Sequence, residues 1–450
     1  MGQTIILHER ERGLACAPGS SLHNKPNVSA KDAFMNSKTT VKRRTVAIIA
    51  CADTKKAEME FLRALLAREG FGVLTIDLST QGGYTYEANV TPREIAMAGG
   101  STIEHVRLSG RAEAISVMEA GVVKIVSSLS ITGNIDGALG IGGLQNSRMA
   151  SAAMRALPVG VPKLILSTVA CGNRPFELLV GDKDITVMPS VADIAGLNPL
   201  TETVLTNAAA AVMGMVQYGG KTLSADQPMI AASMMGATND GVVGAVRLLE
   251  LAGKSVVTFH STGVGGRCLE QLVLDGMMQA SLDLSPHEII SQDVFGFGFS
   301  AGAANRLCAA AKKGISSVVA PGGMDFVDVS AKDFFAGILG DPAARKYVLH
   351  NSEIAHVKLT PEEAARGAAI FVERLNRHTG KLSVILPLQG LRSDTRQGQK
   401  LYDPAVDQAI FDVIRKGLRT DIRLVELDAH FFDETFSECA FEEMMRLLQD

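Results

Sequence analysis

The feature that most constrains this chain is the run Thr45-Val46-Ala47-Ile48-Ile49-Ala50-Cys51. From Val46 onward it is apolar at every step instead of alternating, the pattern of a strand buried on both faces of a parallel sheet. A short polar loop, Ala52-Asp53-Thr54-Lys55, follows; then Met59, Leu62, Leu65 and Leu66 fall at helical spacing, Gly70 stops the helix, and Phe71 to Leu78 reads as a second strand. So short a β-α-β connection forces the two strands parallel.

The alternation continues. Residues 111–120 suit a helix, Ala138 to Ile141 a strand, 144–156 a helix, Lys163 to Val169 a strand and 201–217 a helix. Gln217 to Pro228 then loses all periodicity, and the pattern restarts with a strand at Met229 to Met235, a helix at 239–252 and a strand at Ser255 to His260. Helices are predicted at 265–278 and 301–313, a strand at Ile315 to Ala320, a helix at 361–378, a strand at Leu382 to Leu386, a helix at 404–416, a strand at Ile422 to Leu427 and a helix at 435–449. Helix-start signals stand at Thr91-Pro92-Arg93-Glu94, Ser285-Pro286-His287-Glu288 and Thr360-Pro361-Glu362-Glu363. The fold class expected is therefore α/β, as two Rossmann-like doubly wound domains with mostly parallel sheets. At 450 residues the chain is about three times the ~150-residue domain norm, which suits this division. The domains expected are an N-terminal, nucleotide-binding one over 45–219 and a C-terminal one over 229–450. Residues 1–44, with eight Lys/Arg against three acids and no sustained periodicity, read as a disordered leader.

Charge and composition exclude several function classes. Lys plus Arg is 44 against 48 Asp plus Glu, a net −4, and Trp is absent. That balance argues against direct nucleic-acid binding, which needs a basic surface and stacking platforms. The six cysteines, at 16, 51, 171, 268, 308 and 439, form no CxxC and no close pairs, so neither a disulfide framework nor a zinc site is expected. A reducing, cytoplasmic setting follows. No uninterrupted apolar run of ~18 residues argues for a membrane span.

Glycine reaches 44 residues, and much of that excess falls at strand ends, where open parallel sheets bind ligands. The first cluster is Gly137-Ala138-Leu139-Gly140-Ile141-Gly142-Gly143, in front of a helix start. The second is His260-Ser261-Thr262-Gly263-Val264-Gly265-Gly266-Arg267, which follows a strand and opens a helix, as an anion or phosphoryl site does. In both, the third glycine of the dinucleotide fingerprint is missing, Gln145 and Cys268 standing in its place. Two further junctions are Pro321-Gly322-Gly323-Met324-Asp325, where Asp325 suits a metal or hydroxyl partner or else a helix cap, and Asp53-Thr54-Lys55, where Lys55 is placed to reach a phosphate and Asp53 or Thr54 equally suit a cap. Gly220-Lys221-Thr222 and Gly253-Lys254-Ser255 lack the earlier glycine of a P-loop. The nine histidines include no HExxH, and no Ser or Cys sits in a GxSxG elbow. Arg392, Asp394 and Arg396 form a charged loop after the 382–386 strand, equally a ligand edge or a solvated turn.

Longer stretches resemble a known family. Ala52-Asp53-Thr54-Lys55, Gly140-Ile141-Gly142-Gly143, Ala156 to Lys163, Leu166-Ser167-Thr168-Val169-Ala170, Met188 to Asn198, His260 to Gly266, Leu386-Pro387-Leu388-Gln389-Gly390, Tyr402-Asp403-Pro404 and Glu426 to His430 are similar, in this order, to the ATP-binding domain family of the tomato mosaic virus resistance protein. Where relatives carry a small Ser-Gly-Gly-Thr run after the paired glycines, this chain has Leu144-Gln145-Asn146-Ser147. The resemblance implies two Rossmann-like subdomains, ATP on the first, and a tendency to form a homodimer; magnesium is a further cofactor candidate beside the ATP. Together with the glycine loops it gives an expected cofactor-binding set of Asp53, Thr54, Lys55, Gly140, Gly142, Gly143, Ser167, Thr168, Thr262, Gly263, Gly265 and Gly266. Catalytic residues and metal ligands are unassigned. The function expected is an ATP-binding enzyme or enzyme subunit acting on a small anionic metabolite. The alternatives are a non-catalytic ATP-gated dimer that binds a protein partner, and a nucleotide-independent enzyme using the domain cleft for an organic acid.

Overall fold

A computed structural model describes residues 43–170, 177–219 and 228–449. The expected disordered leader, Cys16, Cys171 and the Gly220-Lys221-Thr222 decoy lie outside the described residues, apart from Arg43 and Arg44 at the leader's end.

The first sheet holds β1 (Thr45–Ala50), β2 (Gly72–Asp77), β3 (Gly137–Gly142), β4 (Lys163–Ser167) and β5 (Thr186–Pro189) in the order β2-β1-β3-β4-β5, every pair parallel. Its helices are α1 (Ala52–Arg68), α2 (Pro92–Ala98), α3 (Ile103–Leu108), α4 (Arg111–Ile131), α5 (Leu144–Arg155), α6 (Glu177–Val180) and α7 (Pro199–Tyr218). The apolar β1 run serves both faces: Val46, Ile48 and Ala50 pack with α1 and α7, while Ala47 and Ile49 join the core under α2, α4 and α5. This is why the strand reads as continuous instead of alternating.

The second sheet holds β6 (Met229–Met234), β7 (Ser255–His260), β8 (Met278–Asp283) and β9 (Ser316–Val319). The chain then makes an antiparallel arm, β10 (Phe326–Ser330), β11 (Tyr347–Leu349) and β12 (Ile354–Lys358), in the order β10-β12-β11. It returns to the second sheet with β13 (Leu382–Pro387) and β14 (Arg423–Leu427), giving the all-parallel order β14-β13-β9-β8-β6-β7. The helices of this half are α8 (Asn239–Leu251), α9 (Val264–Leu274), α10 (Cys308–Lys313), α11 (Ala331–Phe335), α12 (Pro361–Leu375), α13 (Pro404–Gly417) and α14 (Glu434–Gln449). The chain is thus an α/β protein of two Rossmann-like, mostly parallel sheets. In both, the second strand lies on one side of the first and all later strands on the other, so each has one topological switch point: between β1 and β3, and between β6 and β8.

Several local expectations change. The helix predicted over 265–278 ends at Leu274, Gly276 turns the chain at φ 77°, and Met278–Asp283 is a central strand. The helix predicted over 301–313 shortens to Cys308–Lys313, because Asn305 and Leu307 hold φ 66° and stop it from starting earlier. The start signal at Ser285 leads into a π-helical turn, Ile290–Phe295. The capping boxes at Thr91 and Thr360 form, with Glu94 and Glu363 each accepting the cap residue's N–H at 2.8 Å. Among the described residues α4 alone has the length and apolar character to cross a membrane; it packs against α2 and α5 as a layer helix.

Candidate functional site

The carboxyl ends of β1, β2 and β3 converge on a cleft of about 360 Å³ lined by Asp53, Thr54, Gln81, Arg107, Arg111, Gln145 and Asn146 among others. It lies at the switch point of the first sheet, where doubly wound folds bind their ligands. Two helices begin there, and they differ.

The start of α1 is filled by the chain's own groups. Buried Asp77, at the end of β2, accepts the Ala52 N–H at 2.9 Å and the Ser79 N–H at 3.0 Å on Oδ1, and the Tyr84 hydroxyl at 2.7 Å on Oδ2. The Asp53 N–H donates to Ser79 Oγ at 2.9 Å. A carboxylate at a helix N-terminus is the favourable arrangement, and it leaves no room for a phosphate on these amides. Burial and the nearby Asp77 push the Asp53 carboxyl above its ordinary range, while the Gln81 N–H, at 3.3 Å, opposes the rise. Lys55 sits at a kink (φ −130°, ψ 23°), sends its ammonium to the Thr54 carbonyl at 3.3 Å, and is not part of the cleft wall.

The start of α5 is open. Its cap residue Gly143 is extended and no side chain caps the helix. The glycines before it divide by role. A Cβ at Gly140 would lie 2.8 Å from Ala150 Cβ, so this glycine lets α5 pack on β3. Gly142 holds φ 141°, which side chains rarely adopt. A Cβ on Gly143 would meet only Thr168 Oγ1, at 3.5 Å; the approach to the helix amides is free there.

Arg111 donates to Gln145 Oε1 through Nε at 2.9 Å and Nη2 at 2.6 Å, so the bulkier residue in the departed loop orients a guanidinium beside the α5 N-terminus. Arg107 reaches the same cleft. Sequence reading missed both, because neither lies near a strand end; helices α3 and α4 bring them in.

Ser167 and Thr168 separate. Ser167 is buried with its hydroxyl 2.7 Å from that of Ser147, tying β4 to α5. Thr168 lines a separate hollow of about 320 Å³, at the ends of β4 and β5, with Ser190, Val191 and Asp193. Val191 there holds φ 66°, an outlier for a β-branched residue and a form of strain that collects at ligand sites.

The second glycine loop serves a different cavity. Thr262 lines a space of about 540 Å³ that shares no wall residue with the first cleft. Its glycines are needed for packing: a Cβ at Gly263 (φ 80°) would collide with the Ala301 carbonyl, at Gly265 with that of His260, and at Gly266 with Glu288 and Arg306. Beneath them Arg306, fully buried, binds Asp283 at 2.8 and 2.9 Å, Glu270 at 2.8 Å and Glu288 at 3.1 Å. Around the 540 Å³ cavity, buried His287 donates to the Gly323 carbonyl at 2.6 Å and lies 3.4 Å from Asp328. Burial opposes its charge, yet Asp328 raises its pKa. Burial likewise opposes ionisation of Asp328, but bonds from His287, Ser300 and Ser291 bring it down to about 2. Asp325 is no helix cap: it is buried and pairs with Lys358 at 2.7 Å. Of the charged loop, Arg392 is buried, Asp394 half-buried and Arg396 exposed. The signals for these charges were a start motif at His287 and an apolar run around Asp325, neither of which points to an ion pair.

Similarity to other proteins follows the same two halves. Residues 44–221 match the model of the Uncharacterised protein family (UPF0261) N-terminal domain, and 227–448 its C-terminal domain. A UPF0261 protein of Clostridium tetani (strain Massachusetts / E88) is 34% identical over 409 residues, 90% of this chain and 99% of that one. One of Brucella suis biovar 1 (strain 1330) is 30% identical over 88% of this chain and 93% of its own length. The ToMV resistance protein Tm-1(GCR237) of Solanum lycopersicum is 29% identical over 89% of this chain, which spans 55% of the tomato protein. With both family domains matched in order and relatives of this closeness, the chain belongs to the UPF0261 family.

Proposed function

We propose that the chain is an ATP-binding enzyme, or enzyme subunit, that acts on a small anionic metabolite in the cytoplasm, with the nucleotide phosphates held in the first cleft. The observation that carries this reading is the uncapped start of α5 at the switch point, with Arg111 fixed beside it by Gln145. Helix amides and a guanidinium together suit a phosphate chain, and Thr168 Oγ1, 3.5 Å from where a Cβ on Gly143 would stand, is a further polar group near the helix start. The site is carried by Gly142, Gly143, Thr168, Arg107 and Arg111 more than by Lys55 or Gly140. Magnesium would sit with Asp53, the carboxylate on the cleft wall, and supply charge to the phosphates. Among the described residues the cleft wall carries no activated nucleophile, since burial pushes the Cys51 thiol well up, so turnover would rest on positioning and charge stabilisation.

The second reading, an ATP-gated homodimer that binds a protein partner, is favoured by one feature: a hollow of about 740 Å³ edged by the exposed Ile131 together with Leu157, Pro158, Leu272 and Met277. Calorimetry of ATP with and without magnesium, followed by a phosphate-release assay, separates the readings. Binding with release supports the enzyme, binding without release the gated dimer, and no binding sinks both.

A further inference from the structure

The second half has its own cavity, of about 540 Å³, walled by residues at the ends of β6 and β7 and by the antiparallel arm. Its walls include Ala237, Thr262, Asp328, His356, Ser393 and Asp394. At one side α9, eleven residues long, begins at Gly263 without a side-chain cap.

Arg392 supplies the independent observation. It is completely buried, and neither Nη1 nor Nη2 has a hydrogen-bond partner. Only Nε reaches a carboxylate, Asp325, at a weak 3.4 Å, and Lys358 already holds that oxygen at 2.7 Å. The guanidinium carbon lies 4.0 Å from the centre of the Phe326 ring, which is 4.9 Å from the ring of His356. After burial, Arg392 is the largest influence holding His356 neutral, at about 3. The next residue, Ser393, is anchored to the other wall by its N–H to the Ala237 carbonyl at 2.8 Å. The fork therefore stands behind the wall formed by His356 and Ser393.

A buried guanidinium with both terminal nitrogens unpaired is costly, and a planar pair of oxygens is its natural complement. We infer that this cavity binds a small organic acid, whose carboxylate engages the Arg392 fork after displacing the half-buried His356 ring. The fork alone would also take two oxygens of a phosphate; the apolar walls given by Met235, Phe299, Val348, Leu349 and Ile354 favour an acid with a carbon skeleton. Asp328 itself is compensated by His287 and by donors from Ser291 and Ser300, so it does not require the guest to be a cation. The inference deepens the proposed function, on which it rests for the kind of metabolite handled, but it concerns a cavity separate from the nucleotide cleft.

The test is calorimetry on the full chain with malonate, its neutral analogue malonamide, and inorganic phosphate, with ATP and magnesium titrated in parallel. Malonate is expected to bind at least tenfold more tightly than malonamide and more tightly than phosphate. Arg392→Gln should lose at least tenfold in malonate affinity while ATP affinity stays unchanged. Should that buried variant not fold, His356→Ala serves instead: removing the covering ring should strengthen malonate binding severalfold, and malonate soaked into crystals should lie against Arg392. Equal binding of malonate and malonamide, a preference for phosphate, unchanged affinity in folded Arg392→Gln, weaker binding in His356→Ala, or malonate located elsewhere would each overturn the inference. Malonate failure with ATP bound leaves the nucleotide reading standing; ATP failure with malonate bound does the reverse.

Discussion

Arg306 grips Asp283 with both terminal nitrogens, at 2.9 and 2.8 Å, in a place where neither side chain meets solvent. The same guanidinium also serves Glu270 and Glu288, so one buried cation faces three carboxyl groups. Burial pushes Glu270 and Glu288 above the ordinary carboxylate range, with Arg306 opposing the rise, and Glu288 Oε1 has no partner. Replacing Arg306 with Met should cost about 3–5 kcal/mol, because it leaves acids buried without their cation. Chemical denaturation measures this directly; a loss under 1 kcal/mol would mean the cluster is already neutral.

The same cluster sets a pH dependence. A carboxyl whose folded pKa is raised binds its proton more tightly in the native state. The stability it contributes is therefore full below its unfolded value, near 4.5, and is lost as pH rises toward the folded value. Glu288→Gln mimics the protonated form at every pH. The variant should gain on wild type steadily above pH 4.5 in urea titrations, and parallel curves would show that Glu288 does not hold a raised pKa.

Two glycines of one loop should respond oppositely. Gly140→Ala drives a methyl to 2.8 Å from Ala150 Cβ, so it should cost about 1–3 kcal/mol of stability. Gly143→Ala meets only Thr168 Oγ1 at 3.5 Å and should change stability by less than about 0.5 kcal/mol. Its added methyl stands instead at the entrance to the α5 amides, and ATP affinity should fall. Calorimetry on both variants checks the pair; a destabilised Gly143→Ala that binds normally would remove the α5 start from the site.

Arg111→Ala and Arg107→Ala should each weaken ATP binding by about tenfold with little change in melting temperature, as both residues are exposed. The loss should shrink at high salt, where exposed charges are screened. Salt-independent losses would point to packing against Gln145 as the cause.

These residues mark how far the sequence could be read. The continuous apolar strands β1 and β4, the capping boxes at Thr91 and Thr360, and the doubly wound class were legible because burial on two faces and helix capping leave local patterns. Strand β8 was not: Met278-Gln279-Ala280-Ser281-Leu282 has helix-forming composition, and only pairing with β6 and β9 makes it extended. The antiparallel arm was missed for a similar reason, since β10 pairs with β12 across the intervening α11 and β11. At the site, a glycine count could not separate Gly140, which packs, from Gly143, which opens the helix start. Nor could spacing reveal that Asp77 occupies the α1 amides, or that Arg306 gathers acids from 18 to 36 positions away.

Val191 offers the last prediction. At φ 66° its branched side chain is in a region costing about 1–3 kcal/mol, and it is exposed, so packing does not hold it there for the core's sake. Val191→Gly relieves that strain but loosens the unfolded chain by about 0.5–1 kcal/mol. The net expectation is a gain of about 1 kcal/mol, read as a melting temperature higher by a few degrees. Because the residue lines the hollow next to Thr168, the freed loop should also bind ATP less tightly. A more stable variant with unchanged affinity would place Val191 outside the nucleotide groove, and a less stable one would mean the left-handed turn is not strained at all.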